Sequence, residues 1–354
     1  MKGKVIVAMS GGVDSSVAAY LAKEAGWEPI GVTMKLFDGE IESTCCSLED
    51  TEDAASVARG LGIPHYVFNF KDRFRRDVID RFVASYEAGM TPNPCIDCNR
   101  FLKFDELFRR ARELGCERVI TGHYAIIEEN DGKRVLKKAL DPTKDQSYVL
   151  YSLTAGMLPF VEFPLGAMKK DDVRALAEKL GFVNAKKHDS QDICFVPDGK
   201  YGDFIEETTG RIYTPGNFVD RDGRVLGEHK GIIRYTIGQR RGLGLALPES
   251  LYVIGVDVEK NEVILGREEE LFSNVLTARE LSLSPGFLES GPARVRARVR
   301  YRQPEKEATV ERIGEDEVKV VFDEPLRAIT PGQTVVFYDG DEVKGGGVIT
   351  RAGE

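Results

Sequence analysis

The chain has 354 residues, 42% of them hydrophobic and 30% charged, with a formal net charge of −9. This is the make-up of a soluble globular enzyme with room for two or three domains, and the acidic balance argues against indiscriminate nucleic-acid binding while leaving room for a local basic face. No apolar run is long enough to span a bilayer and the N-terminus has no signal-peptide pattern, so no membrane partner and a cytoplasmic location are expected, with the six cysteines as thiols.

Lys4 to Met9 is a short apolar run that reads as a strand buried on both faces. Ser10-Gly11-Gly12-Val13-Asp14-Ser15 follows it directly, and a helical pattern begins at Val13 and stops at Gly26. Strand, glycine turn and helix start make a phosphate cradle, because glycines let backbone N–H groups approach an anion at a positive helix end. Ser10 and Ser15 add hydroxyl donors, and Asp14 is placed to hold a magnesium ion beside the phosphates. The Walker pattern is absent, since Val-Asp follows the second glycine, and so is the dinucleotide pattern G-x-G-x-x-G. The plainer alternative is a helix N-cap made by Asp14 or Ser15. The loop resembles that of the ATP-pyrophosphatase superfamily, whose members cleave ATP to AMP and pyrophosphate.

Strand and helix patterns alternate to about residue 180. Glu28–Met34 and His65–Phe70 read as strands, Asp50–Leu61 and Asp72–Tyr86 as helices. A further helix is marked by Phe104 to Leu114, Arg118–Thr121 is a strand leading to Gly122, and Lys169–Leu180 is a helix. Asp131-Gly132 marks an inserted hairpin. The alternation predicts an α/β fold, a doubly wound parallel-sheet nucleotide-binding domain with its ligand at the carboxyl ends of the strands. The texture then changes to short β-like segments. The expected division is a catalytic domain over 1–205, a small mostly-β central domain over 206–275 and a C-terminal β-barrel over 276–354.

Two prolines precede Cys95 in Thr91-Pro92-Asn93-Pro94-Cys95-Ile96-Asp97-Cys98-Asn99. They place this stretch in a loop between helices, with Cys98 at the N-terminus of the next helix, where the dipole favours thiolate. C-x-x-C alone reads as half a zinc site, a redox pair, cluster ligands or two buried cysteines. Cys194 stands in a polar segment after a helix, Cys116 precedes a strand as a structural residue would, and the adjacent Cys45 and Cys46 carry no assigned role. In Arg294 to Arg302 every second residue is arginine. An extended strand there puts five guanidinium groups on one face, suited to phosphates, with Val295, Ala297, Val299 and Tyr301 toward the core. No acidic residue follows in sequence until Glu305.

Eight motifs occur in one order: S-G-G-V-D-S, N-P-C-I-D-C-N, T-G-H-Y at 121–124, K-D-Q-S-Y at 144–148, D-S-Q-D-I-C-F at 189–195, G-Q-R-R-G-L-G at 238–244, R-Y-R-Q at 300–303 and T-P-G-Q at 330–333. Over essentially the whole chain this resembles the bacterial tRNA-specific 2-thiouridylases. The resemblance implies ATP-dependent exchange of oxygen for sulfur at C2 of a wobble uridine. It implies that Ala8, Met9, Ser10, Gly11, Gly12, Val13, Asp14 and Ser15 bind the phosphates of ATP with Mg2+, and that Met34 and Gly122 lie near the adenosine. Cys98 would be the nucleophile and Cys194 the persulfide carrier, joined transiently by a disulfide. Asn93, Pro94 and Cys95 would line the target base, and His123, Lys144, Asp145, Gln146, Arg300, Tyr301 and Gln333 would touch tRNA. A cysteine desulfurase or sulfur-relay protein would be the sulfur donor.

Many members of that family carry Asp at the position of Cys95. Cys95, Cys98 and Cys194 are therefore also candidate ligands for three corners of a [4Fe–4S] cluster, and the persulfide and cluster routes both stand open. Two other classes fit the loop alone: a ligase or amidotransferase adenylating a small acid, and a non-catalytic adenine-nucleotide sensor.

Overall fold

The computed structural model describes residues 2–37, 47–130, 132–189, 193–196, 199–246 and 249–353. Cys45, Cys46, Asp131 and the stretch 190–192 of the motif before Cys194 lie outside the described residues. The chain divides into two compact units, one of 1–79, 94–197 and 340–343, the other of 80–93, 198–339 and 344–354.

The first unit carries a parallel sheet of β1 (Lys4–Ala8), β2 (Glu28–Lys35), β3 (His65–Asn69), β4 (Arg118–Ile120) and β7 (Val161–Glu162), in the order β3-β2-β1-β4-β7. Strand β1 is central, with Val5, Ile6 and Val7 fully buried, as a strand covered on both faces must be. Helix α1 (Val13–Glu24) buries Val17, Ala18 and Ala19 on the sheet. Helix α2 (Leu48–Leu61) is started by a reciprocal Ser47–Asp50 capping box and ended by Gly62 in the left-handed region. The inserted hairpin is β5 (Ile126–Asn130) and β6 (Lys133–Lys137).

Two helical runs in this part of the chain leave α geometry. Lys71–Phe74 widens into a π segment at Arg75–Ile79. The run that begins at Pro94 passes into π geometry at Cys98–Glu106 before returning to α at Leu107–Glu113. The proline reading needs correction here: Pro94 opens the helix, as its fixed φ and missing N–H allow at a first helical position. Cys98 consequently lies inside the helix, and Cys95 is in the first turn.

In the second unit, β8 (Gly216–Val219), β9 (Val225–His229), β10 (Tyr252–Asp257) and β11 (Glu262–Gly266) form a sheet in the order β10-β11-β8-β9. The rest is a barrel of β12 (Phe272–Leu283), β13 (Ala293–Arg298), β14 (Lys306–Gly314), β15 (Glu317–Arg327), β16 (Thr334–Asp339) and β17 (Glu342–Ala352). It runs β12-β15-β14-β13-β16-β17 and is closed by pairing of β12 with β17. Val295, Ala297, Val310, Val320, Phe322 and Phe337 fill it. Among the described residues no helix is long and apolar enough to cross a membrane.

Candidate active site

The loop after β1 is held by its own hydroxyls. Ser10 N–H donates to Ser15 Oγ at 3.1 Å, and the Ser15 and Ser16 hydroxyls each donate to Gly12 O at 3.0 Å. Gly11 has φ +76°, and a Cβ there would strike the backbone carbonyl of Asp50, so only glycine fits the turn. Gly122 has no room for a side chain either: its Cβ would stand 2.7 Å from Asp14 C and Ser15 N. The ends of β1 and β4 thus close against the start of α1. Asn184, buried, donates to Gly11 O at 2.7 Å and Ser16 Oγ at 3.0 Å, and its Oδ1 meets no donor among the described residues.

The expected magnesium ligand is occupied otherwise. Lys170 Nζ lies 2.7 and 2.8 Å from the two carboxylate oxygens of Asp14, and Tyr124 Oη donates to Oδ1 at 2.8 Å. The cation offered beside the cradle is therefore Lys170, whose side chain is only 7% exposed. That ammonium also lies 2.8 Å from Asp189 Oδ1, while Lys144 and Arg174 reach the same carboxylate at 2.7 Å. Burial alone would raise the Asp189 pKa, but the hydrogen bonds from Lys144 and Lys170 win and hold it down to about 2. Lys187 completes the belt, 2.7 Å from both Asp50 Oδ1 and Asp53 Oδ2 on α2. Asn184, Lys187 and Asp189 thereby tie the segment leading to Cys194 to the loop, to α2 and to Lys170.

The described cysteines are thiols, none joined in a disulfide; Cys95 is exposed, Cys98 and Cys194 half-buried. Burial pushes the Cys116 thiol up, which fits a structural role. Cys95 and Cys98, three apart, share one helix face. Asn99, buried beside them, donates to Val149 O at 3.0 Å. Phe195, next to Cys194, is buried edge-on against Phe74, with ring centroids 5.6 Å apart. Among the described residues no group of three His, Cys, Asp or Glu side chains is assembled to hold a metal ion.

Several residues expected to touch tRNA have their polar atoms turned inward. His123 is buried between Phe104 and Phe163, with Nδ1 2.7 Å from Thr121 Oγ1. Burial, with Lys103 nearby, depresses its pKa well below the ordinary histidine value. Asp145 is buried and accepts from Ala139 N, Ser147 N and Ser147 Oγ. Gln146 clasps Tyr124, its Oε1 accepting from Tyr124 N at 2.9 Å and its own N–H donating to Tyr124 O, and Lys144 is the Asp189 partner. Met34 stands at the carboxyl end of β2, where a ligand of this sheet belongs.

In the second unit Gln333 Nε2 donates to Thr91 O at 2.8 Å, fixing the backbone just before Asn93. The arginine strand is corrected in two respects. Its strand ends at Arg298; Val299 still enters the core, but Tyr301 is exposed rather than buried. Acid that sequence order did not reveal arrives from β14 and β15, where Arg294 pairs with Asp323 at 2.8 Å and Arg296 with Glu307 at 3.5 Å, while Glu305, just before β14, takes Arg298 at 2.9 Å. Arg300 Nη2 turns onto Ala328 O at 2.9 Å and onto Thr330 Oγ1.

Comparison with known proteins now decides the family. Residues 3–198 match the profile described as "tRNA methyl transferase HUP domain", 202–267 the "tRNA methyl transferase PRC-barrel domain" and 273–349 the "Aminomethyltransferase beta-barrel domain". The chain is 51% identical to the tRNA-specific 2-thiouridylase of Symbiobacterium thermophilum, covering 99% of this chain and 92% of that protein. It is 48% identical to that of Clostridioides difficile, covering 99% of each. The chain belongs to the tRNA-specific 2-thiouridylase family. A solved complex titled "Crystal structure of a 4-thiouridine synthetase - RNA complex with bound ATP" covers 59% of this chain and 50% of its own at 18% identity and a TM-score of 0.39, too loose a likeness to carry any argument.

Lys170, Asn184, Arg174 and Lys187 are the site residues that sequence reading missed. Lys170 and Asp14 are 156 positions apart. The one local signal was the start of a helix at 169–170, a place where a cation is unfavourable unless something anionic faces it.

Proposed function

We propose that this chain catalyses ATP-dependent 2-thiolation of the wobble uridine of tRNA, and that Cys194 carries the sulfur as a persulfide. The observation that supports this reading is the belt from Asp14 through Lys170 to Asp189, which runs from the phosphate cradle to the segment bearing Cys194. A carbonyl oxygen is a poor leaving group, so O2 of the uridine attacks the α-phosphate of ATP and pyrophosphate departs. Backbone N–H groups of 10–12 and the start of α1 meet the phosphates, and Lys170 supplies the adjacent positive charge. Mg2+ bound with the nucleotide would supply charge neutralisation at its phosphates, and Asp14 would be the carboxylate to hold it.

The terminal sulfur of the Cys194 persulfide then attacks C2 and AMP leaves, so that the base is joined to Cys194 through an S–S bond. Cys98 thiolate attacks Cys194 Sγ, breaks that bond and releases 2-thiouridine. The Cys98–Cys194 disulfide that results is reduced by an external thiol. A cysteine desulfurase or relay protein loads the persulfide. The uridine is flipped out of its loop to reach the site, beside Asn93, Pro94 and Cys95.

Incubation with a wobble-uridine tRNA, ATP and a persulfide donor should yield 2-thiouridine by mass spectrometry and one AMP per thiolation. Cys194→Ser should stop sulfur transfer while tRNA-dependent pyrophosphate release continues. Thiolation that survives Cys194→Ser would remove the persulfide assignment, and AMP formation indifferent to tRNA would remove the substrate.

A further inference from the structure

Two adjacent arginines of the second unit differ from those of β13. Arg240 and Arg241 are both exposed, and among the described residues neither side chain takes part in an ion pair or hydrogen bond. They sit in the G-Q-R-R-G-L-G stretch, to which neither the nucleotide site nor the sulfur chemistry gives a task. We propose that the turn Thr236–Arg241 grips the phosphate backbone of the tRNA, and that Arg300 braces the turn from behind. The inference rests on the thiouridylase reading and assigns part of that enzyme's substrate grip.

The turn is built to hold these two side chains out. Gln239 staples it from within, its Oε1 accepting from Thr236 N at 3.1 Å and its Nε2 donating to Arg241 O at 3.0 Å. Gly238 N–H donates to Val253 O at 2.8 Å and Val253 N–H to Gln239 O at 2.9 Å, which fastens the turn to β10. Arg300 Nη2 adds a weaker bond to Ile237 O at 3.4 Å while it grips Ala328 and Thr330. It thereby joins the turn to the loop after β15. Gly238, Gly242 and Gly244 all have positive φ, and nothing lies within 4 Å of a Cβ at Gly244. The chain past the arginines is therefore bare and lets a phosphate come close to the backbone.

Energetics favour these arginines over those of β13. A phosphate approaching Arg294 or Arg296 has to displace a carboxylate already paired with it, and the exchange gains little. A phosphate approaching Arg240 and Arg241 displaces only water and counterions, and the planar guanidinium offers two parallel donors. Because the turn is already pinned, little backbone freedom is lost on binding. Contacts of this kind position an RNA without reading its sequence.

The test is binding of unmodified wobble-uridine tRNA across a salt series, with ATP affinity as the check on folding. Arg240→Gln/Arg241→Gln should lower the slope of log K against log salt by about 1.4 to 1.8, two phosphates at about 0.7 to 0.9 each. Arg294→Gln/Arg296→Gln should leave it unchanged. Arg300→Gln alone should weaken tRNA binding by loosening the turn, and unchanged affinity in that variant would overturn the brace. Wild-type affinity and slope in the first pair would overturn the grip, as would lost thiolation with intact tRNA binding, which points to a protein partner. Failure of the wild type to bind tRNA would overturn the thiouridylase reading and this inference together.

Discussion

Lys170 and Arg294 are both cations within 3 Å of carboxylates, yet their surroundings give the two pairs different weight. Lys170 is buried and shared by Asp14 and Asp189, with Lys144 and Arg174 converging on the same acid. Its charge is screened little, and the carboxylates it holds belong to the phosphate cradle and the Cys194 segment. Arg294 lies half in water with Asp323 equally exposed, where solvent and salt weaken the attraction. A charge matters to function here according to what it is buried against, and counting ion pairs would miss that.

The sharpest break in this comparison is Lys170→Met. It removes the buried cation and leaves Asp14 without its ammonium partner while Asp189 keeps Lys144 and Arg174, which should destabilise the first unit by about 1 to 3 kcal/mol. AMP formation should fall by about 100-fold, as for loss of a single electrostatic donor. Normal pyrophosphate release with an unaltered melting curve would reduce Lys170 to a bystander.

Arg298 tests whether the barrel has a buried pair of its own. Its side chain and that of Glu305 are 15% and 6% exposed, and its guanidinium lies 5.4 Å over the Tyr338 ring. Arg298→Met should lower the thermal midpoint by an amount on the scale of a broken buried pair, about 3 kcal/mol, with thiolation per folded molecule retained. Calorimetry together with a turnover assay separates those two outcomes.

The strand, glycine turn and helix of the nucleotide loop were legible because they are contiguous and each residue acts through its own backbone. The barrel was legible from alternation of small apolar residues, as the burial of Val295 and Ala297 bears out. What stayed hidden depends on register between distant segments. Glu307 and Asp323 neutralise an arginine strand that looks bare in one dimension, and Lys170 reaches Asp14 across the fold. The start of a helix at Pro94 was hidden for another reason: the same residue breaks a helix within and opens one at its first position.

A smaller effect is expected from acid. The Asp189 carboxyl is held at about 2 in the folded chain, below an unfolded value of about 3.9. A depressed carboxyl contributes its full stability above the unfolded value and loses it as pH falls from about 4 toward 2. Below pH 4 the tether of the Cys194 segment should weaken, read as a higher rate of Cys194 alkylation relative to a free cysteine at the same pH, since every thiol reacts more slowly in acid. Asp189→Asn should show that faster rate at pH 7 already and little extra dependence on pH in the same window. Equal rates in the two proteins at neutral pH would mean that Asn184 and Lys187 hold the segment without it.

The smallest effect belongs to Arg294. Asp323 holds its guanidinium in the charged form and Arg294 in turn pulls the Asp323 carboxyl down, but both groups stand in solvent and exchange one set of strong hydrogen bonds for water's. The side chains lie across β14 from each other on the outer face of the barrel, both more than half exposed. Arg294→Gln should therefore leave the thermal midpoint within experimental scatter at physiological salt, and tRNA affinity should keep both its value and its salt slope. A loss of RNA affinity comparable to that of Arg240→Gln/Arg241→Gln would show that RNA displaces Asp323 from Arg294. The contrast between buried and solvated cations would then fail at the barrel surface.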